Sequence, residues 1–258
     1  VVLDELLAIA LDAATGAAAI LREGFGHVRE DVRTKSSPTD MVSEMDRAAE
    51  VYISELLADR RPDDAVLGEE GTDRPGTSGV RWVVDPLDGT TNYLFGIPSY
   101  GVSIAAEIDG KGAVGVVVDP SRDETWTAVT GRGAHLNGHP VGVSAPVPPL
   151  AEALIATGFS YSRQQRARQA TLLGRVLPNV RDVRRFGAAS LDLCWVAGGR
   201  VTGYYEWGLQ PWDLAAGTVI AMEAGARVAE LADGTVVCAP PDLLGPLCEL
   251  IDPAGPVF

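Results

Sequence analysis

Four acidic stretches carry the residues best suited to chemistry: Gly68-Glu69-Glu70-Gly71, Asp85-Pro86-Leu87-Asp88-Gly89-Thr90-Thr91-Asn92, Glu206, and Trp212-Asp213. Each places a carboxylate at a turn or at the end of an apolar element. Such oxygens suit a hard cation like Mg²⁺, which takes oxygen ligands and retains waters. In the second stretch the apolar Trp82-Val83-Val84 delivers Asp85, Pro86 cannot continue a ladder, and Asp88 follows as the chain turns. Both carboxylates can face one ion, with the Leu87 carbonyl between them as a further ligand. Gly89-Thr90-Thr91 then exposes backbone N–H groups, which suit an anionic phosphate at a helix start. Carboxylates that converge without a counter-ion raise each other's pKa, which is itself an argument for cations. Metal coordination lowers the pKa of water towards 7, and a second ion can stabilise a leaving alkoxide. Phosphoryl transfer asks a protein mainly for positioning and charge neutralisation, which a carboxylate cage provides.

Taken singly, the same residues have ordinary structural uses. Asp85 and Asp88 read as turn or cap residues, Glu69 and Glu70 as a solvated turn, and Asp213 as the N-cap of a helix beginning at Leu214. Their joint occurrence changes the balance. Other chemistries find no support: there is no GxSxG and no GxxxxGK[ST]. His27, His135 and His139 fall in loop or hairpin settings away from the acidic stretches and read as surface histidines.

The elements that must position these groups are legible in outline. Leu3, Leu7, Ala10, Ala14, Ala17 and Leu21 recur at helical spacing, with Gly24 as the expected stop. Lys35 to Asp40 reads as loop, and a second helix is predicted from near Ser43, with Asp46 in capping-box register and an apolar face of Met45, Ala49, Tyr52, Ile53 and Leu56. Tyr100–Ile108, Ala113–Val118 and Glu124–Val129 read as strands, and Asn137-Gly138 as a hairpin turn. After Ala145-Pro146-Val147-Pro148-Pro149 strands and helices alternate: strand 154–157, helix 163–177, strand 183–185, helix 190–196, strand 201–205, helix 214–224. That alternation marks a doubly wound α/β unit. The expected organisation is an α+β half over residues 1–147 carrying most metal ligands, and an α/β half over 148–258 completing the site.

Composition bounds the partners. The 258 residues are 46% hydrophobic and 22% charged, an ordinary globular profile. A net charge of −14 argues against a nucleic-acid surface, which needs a basic stripe. No stretch is long and apolar enough for a membrane span, and the first 21 residues, interrupted by Asp4, Glu5 and Asp12, do not read as a signal peptide. Cys194, Cys238 and Cys248 have no paired spacing and read as small buried hydrophobes in a reducing, cytoplasmic compartment.

The Asp85–Asn92 stretch, with Trp212-Asp213-Leu214-Ala215-Ala216-Gly217 downstream and Gly68-Glu69-Glu70 upstream, resembles the inositol monophosphatase family. The resemblance covers nearly the whole chain, including Lys35-Ser36-Ser37-Pro38-Thr39-Asp40 and Tyr205-Glu206. It implies a layered αβαβα sandwich and Mg²⁺-dependent hydrolysis of a small phosphate monoester, inositol monophosphate first. It implies two or three Mg²⁺ ions held by Glu69, Asp85, the Leu87 carbonyl, Asp88 and Asp213. Glu69 and Thr90 would be catalytic, with the Thr90 hydroxyl on a metal-ligated water supported by Asp46. Backbone N–H groups of Gly89 and Thr90 would bind phosphate, beside Asp88 and Asp213, and Glu206 would bind a substrate hydroxyl. Lys35 would help close a loop over the site. A homodimer and lithium sensitivity follow from the same resemblance.

One departure is the absence of a histidine between Glu206 and Trp212, where Gln210 cannot titrate. This bears on substrate identity: histidinol phosphate, fructose 1,6-bisphosphate and 3′-phosphoadenosine 5′-phosphate are alternatives on the same scaffold. No aromatic or basic base-binding patch is legible in the sequence. Ser160, just after the strand at 154–157, is a further substrate-contact candidate, equally readable as a helix cap. Arg184-Arg185 reads as a solvated pair. The competing class is a non-catalytic metal-binding interaction protein, against which stands the retention of an oxygen donor at every expected ligand position.

Overall fold

The computed structural model describes residues 3–31 and 38–252, with side chains over 3–25 and 44–252. Lys35 lies outside the described residues. The chain opens with two long helices, α1 (Leu3–Asp31) and α2 (Pro38–Arg60). On α1 the buried stripe Leu6, Ala10, Ala13, Ala14, Ala17 and Leu21 is mostly alanine, which lets α2 approach closely. Gly24 does not end α1. It sits where the Met45 side chain and the Tyr93 hydroxyl crowd the helix, within 2.6 Å of where a methyl group would be. Its role is close approach, and Tyr93 completes the contact by donating to the Leu21 carbonyl at 2.7 Å. The second helix starts at Pro38, earlier than Ser43, because proline is tolerated in a first turn whose N–H groups lack partners anyway. His27 accordingly falls within α1, not in a loop.

Eight strands follow: β1 (Ala65–Gly68), β2 (Asp73–Arg74), β3 (Val80–Asp88), β4 (Gly101–Ile108), β5 (Lys111–Asp119), β6 (Glu124–Val129), β7 (Ala134–Leu136) and β8 (His139–Val141). They form one sheet in the order β2-β1-β3-β4-β5-β6-β7-β8, antiparallel except for the β1–β3 pair. A short helix, α3 (Thr90–Leu94), separates β3 from β4. Asn137 and Gly138 both take positive φ, 49° and 77°, and join β7 to β8 with Leu136 opposite His139.

The remaining elements are β9 (Leu154–Thr157), α4 (Arg163–Val176), β10 (Asp182–Arg184), α5 (Ala189–Ala197), β11 (Gly203–Trp207), α6 (Pro211–Glu223), β12 (Arg227–Glu230), β13 (Thr235–Ala239) and α7 (Pro241–Ile251). Their strands form a second sheet, β10-β9-β11-β13-β12. Only β10, β9 and β11 are parallel; β13 runs antiparallel to both neighbours. The predicted doubly wound pattern therefore holds for the first part of this sheet. The short link from β12 to β13 cannot make the long crossover a parallel pair needs.

Stacked in order are α1 and α2, the eight-stranded sheet, α5 and α6, the five-stranded sheet, and α4 with α7, an αβαβα sandwich. The middle helices are buried on two sides, and every residue of α5 is buried. Close packing there relies on Gly115, which lies against the Ala216 carbonyl of α6, and Gly217, which lies against Leu193 of α5. No helix among the described residues is long and apolar enough to cross a membrane.

At the far edge of the first sheet, Asp64 ties α2 to β3. Its carboxylate accepts from Arg61 Nε (2.8 Å), Ser78 Oγ (2.6 Å) and Trp82 Nε1 (2.9 Å), and it is 1% exposed. Burial pushes this carboxyl up, but the Arg61, Ser78 and Trp82 hydrogen bonds outweigh it and hold it below the usual range. A depressed carboxyl adds stability that is present above its unfolded pKa and lost as pH falls through its folded one. Asp64→Ala is expected to cost about 2–4 kcal/mol in urea unfolding at pH 7, leaving Trp82 Nε1 without an acceptor. The gap to the wild type should narrow in acid; a gap unchanged down to pH 3 would contradict this assignment.

Candidate active site

The centre of the site is the end of β3. Asp85 pairs with Ser103 and Asp88 with Gly101, so two residues of β3, Pro86 and Leu87, stand opposite one of β4. This is a bulge, and it re-aims the strand as it leaves the sheet. Asp85 Oδ1 accepts the Leu87 N–H at 3.0 Å and holds the bend. Gly89 then takes φ 88°, and a side chain there would also press on the Ser99 carbonyl. Thr90 opens α3, and its hydroxyl donates to the Leu87 carbonyl at 3.0 Å.

Other elements bring their groups to this turn. Because β1 runs parallel beside β3, the Glu69 N–H donates to the Val84 carbonyl (3.2 Å), which sets Glu69 next to Asp85. The turn after β1 is tied back by Gly68 N–H to the Thr72 carbonyl (2.8 Å) and by Thr72 N–H to Glu50 Oε1 (3.2 Å). From the second sheet come Glu206, at the end of β11, and Asp213, in the first turn of α6, where Asp213 Oδ2 accepts the Gln210 N–H at 2.7 Å. Helix α5 braces Asp88: Ser190 N–H and Oγ both donate to Asp88 Oδ2, at 2.8 and 2.5 Å. A cavity of about 320 Å³ opens between these elements, lined by Glu69, Asp85, Leu87, Asp88, Gly89, Thr90, Ser160, Glu206 and Asp213.

The expected residues thus converge from both sheets, with exceptions. Asp46 lies next to Glu69 and Glu70 but not on the cavity wall, and its Oδ1 is buried without a partner. The Thr90 hydroxyl donates to the Leu87 carbonyl. The solvated reading of Arg184-Arg185 splits: Arg184 pairs with Asp182 at 2.6 Å, whereas Arg185 lines the cavity. Its positive charge partly offsets the forces that raise Glu206. Phe159, Tyr161 and Trp207 stand with Arg185 around the cavity, so an aromatic and basic patch does exist, assembled from segments far apart in the chain. Ser160 lines the cavity, and its hydroxyl accepts the Ser162 N–H at 3.1 Å, ahead of α4 rather than capping it. Sequence reasoning also missed Ser190, Glu50 and Tyr204. Glu50 had a signal, lying one helical turn from Asp46; Ser190 had none, being far from Asp88 in the chain.

The electrostatics follow from crowding. Burial, then the charges of Glu69, Asp88 and Asp213, push Asp85 well above the usual carboxyl range. Burial likewise raises Asp88, against the hydrogen bonds from Ser190, Ala189 and Gly89, and raises Glu69, against its hydrogen bond with Asp85. Asp213 and Glu206 are each pushed up to about 7, chiefly by burial. Asp46 is pushed up to about 8 by burial and by Glu70, Glu69 and Glu50. Among the described residues no group of three or more Asp, Glu, His or Cys side chains is placed to hold a metal ion by itself. A cation such as Mg²⁺ needs no such group, since it takes one or two carboxylates and keeps several waters. The donors here are carboxylate and carbonyl oxygens throughout, which fits a hard cation of that kind.

Comparison with known proteins bears on the family and the fold. The sequence profile of the inositol monophosphatase family matches residues 2–249. Inositol-1-monophosphatase SuhB of Mycobacterium tuberculosis is 48% identical over 241 residues, covering 86% of this chain and 83% of that one. Nus factor SuhB of Pasteurella multocida is 38% identical over 261 residues, covering 97% of each. Among solved structures, inositol monophosphatase from Anabaena superposes with a TM-score of 0.86 at 32% identity, covering 100% of this chain and 99% of that one.

The raised carboxyls predict how stability depends on pH. Between the ordinary carboxyl range near 4 and the values near 7 and 8, the folded protein binds more protons than the unfolded chain. Stability from these groups is present below the unfolded pKa and is lost as pH rises through the folded one. In chelator, the Tm is expected to fall by at least about 5 °C from pH 5 to pH 8. Adding Mg²⁺ should raise it more at pH 8 than at pH 5. Calorimetry showing a flat profile in chelator would contradict the crowding.

Proposed function

The chain belongs to the inositol monophosphatase family, and from that premise we propose that it hydrolyses inositol monophosphate to inositol and phosphate, with Mg²⁺ as cofactor. The observation that carries this reading is the convergence of Glu69, Asp85, Asp88 and Asp213 with the Gly89–Thr90 turn in one cavity that Glu206 also lines. Glu69, Asp85, the Leu87 carbonyl, Asp88 and Asp213 would hold two or three ions. Bound there, Mg²⁺ would lower the pKa of the attacking water and neutralise charge on the phosphoryl group.

The protein's own groups account for the rest. Backbone N–H groups of Gly89 and Thr90 bind and orient the phosphate, and the left-handed turn at Gly89 aims them. Glu69 and the Thr90 hydroxyl hold the water in line, Thr90 by leaving the Leu87 carbonyl. Asp46 lies close to Glu69 and Glu70, and burial with those charges pushes it up to about 8. Glu206 accepts a hydrogen bond from a hydroxyl of the leaving alcohol, and Ser160 lies on the same wall of the cavity. With Lys35 this completes the residues assigned to the reaction.

Lithium would inhibit by taking one cation position. A homodimer belongs to the same proposal: Phe95 and Ile97, just after α3, are 72% and 49% exposed, and a second copy would cover them. The three buried free cysteines fit a cytoplasmic protein. A second reading, hydrolysis of 3′-phosphoadenosine 5′-phosphate, draws support from the Phe159, Tyr161, Trp207 and Arg185 patch, which could stack a base and pair a second phosphate.

Phosphate release with and without Mg²⁺ separates these readings. Inositol 1-phosphate should be turned over faster than histidinol phosphate, fructose 1,6-bisphosphate or 3′-phosphoadenosine 5′-phosphate, and only with the metal. Preference for the nucleotide would put the second reading first. Asp88→Asn should lower kcat by about 100-fold or more with the fold intact by circular dichroism. Full activity in that variant would overturn the site assignment, and no turnover on any ester would favour a non-catalytic role.

A further inference from the structure

The wall of the cavity around Glu206 is built more tightly than binding one hydroxyl requires. Strand β11 runs parallel to β9 with Tyr205 opposite Thr157, so Glu206 comes to lie beside Gly158. A methyl group at position 158 would overlap both oxygens and the carbon of the Glu206 carboxylate. The backbone at Gly158 is not left-handed, so its conformation does not call for glycine; the carboxylate does. On the other side, the buried Tyr204 hydroxyl donates to Glu206 Oε2 at 2.8 Å. The segment carrying Gly158 is bracketed by Gln169 of α4, whose Oε1 accepts the Ser160 N–H (2.9 Å) and whose Nε2 donates to the Gly158 carbonyl (3.5 Å). A small void of about 10 Å³, room for one water at most, borders Glu206 together with Thr157 and Gln169.

We propose that Gly158, Tyr204 and Gln169 are positioning residues that make the enzyme selective for polyol phosphates, by holding Glu206 with one oxygen engaged and the other presented to the alcohol half of the substrate. This rests on the reading of Glu206 given above and deepens it. A carboxylate so constrained gains from an alcohol that donates a hydroxyl. An ester whose leaving group has no donor covers the same oxygen and returns nothing, so it is selected against. Gly158 is the residue through which this selectivity can be removed without touching the metal-binding carboxylates or the phosphate turn. A methyl group there would displace the Glu206 carboxylate from the position in which Tyr204 holds it.

The test compares two esters, inositol 1-phosphate and p-nitrophenyl phosphate, whose leaving group bears no hydroxyl donor. Gly158→Ala should raise KM for inositol 1-phosphate about tenfold with kcat within about threefold, and leave kcat/KM for p-nitrophenyl phosphate within about twofold. Tyr204→Phe and Gln169→Leu should shift the ratio of the two substrates in the same direction by a smaller factor. They carry the test if Gly158→Ala does not fold. Gln169→Glu, which keeps the acceptor for Ser160 N–H, should recover part of the Gln169→Leu loss. Equal losses on both esters, or no change in their ratio, would overturn the proposal by showing a purely structural role. Failure of the underlying reading looks different: the wild-type protein would itself cleave p-nitrophenyl phosphate and show no preference for inositol 1-phosphate.

Discussion

Asp85 and Asp88 leave water at the end of one strand with Glu69 and Asp213 close by, and each of these carboxylates repels the others. A pair of like charges about 4 Å apart costs roughly 4 kcal/mol at the effective dielectric of a protein site. Proteins avoid such an arrangement unless something compensates, and two compensations are visible here. Some of the charge is removed by protons, as the raised pKa values of Asp46, Glu206 and Asp213 record. Some is met by hydrogen bonds from the chain itself: Leu87 N–H to Asp85, Ser190 to Asp88, Gln210 N–H to Asp213. The remainder calls for a cation, and the donor set suits one.

The layered architecture is what makes the crowding possible. The middle helices α5 and α6 are packed by both sheets, and each delivers its N-terminal turn to the same place. One brings Ser190 to Asp88, and the other brings Asp213 to Asp85. Glycines at 115 and 217 let these helices settle against β5 and against one another, so the catalytic geometry depends on spacing in the apolar core some distance away. Asp192 of α5 is fully buried, with neither carboxylate oxygen hydrogen-bonded, and burial with Glu206 and Asp88 nearby pushes it well above the usual carboxyl range.

Two kinds of support can be distinguished around the cavity. The carboxylates nearest the Gly89–Thr90 turn are held mainly by the backbone, through a bulge, N–H donors and the first turn of a helix, with the Ser190 hydroxyl added on Asp88. Glu206 is held by the Tyr204 side chain and by the missing side chain of Gly158. Backbone support is insensitive to which residues surround it, whereas side-chain support changes with a single substitution.

Most of the individual elements were legible in the sequence, because a strand's alternation and a helix's stripe are local patterns. The strands from Gly101 to Val129, the hairpin at Asn137-Gly138 and the helices after β9 and β10 follow from residues within a few positions of one another. The misplaced ends have local explanations too. Gly24 looked like a stop because the side chains of Met45 and Tyr93, which need its space, are distant in sequence. The small edge strands β1 and β2 escaped notice because they are short and carry little pattern.

By itself the sequence determined the donor chemistry: which carboxylates, which carbonyl and which glycine turn could take part, since the DP-x-DGT stretch is one continuous piece of chain. It also determined the acidic balance, a net charge of −14. Only the tertiary structure decided how those donors are held and what stands opposite them. Ser190 on Asp88, Gly158 and Tyr204 around Glu206, Arg185 among the cavity aromatics, and Thr90 turned to Leu87 are all set by strand order and helix stacking. The physical reason is one of range. Propensity and periodicity act over a few residues, whereas close approach, burial and charge repulsion act between whichever segments packing brings together.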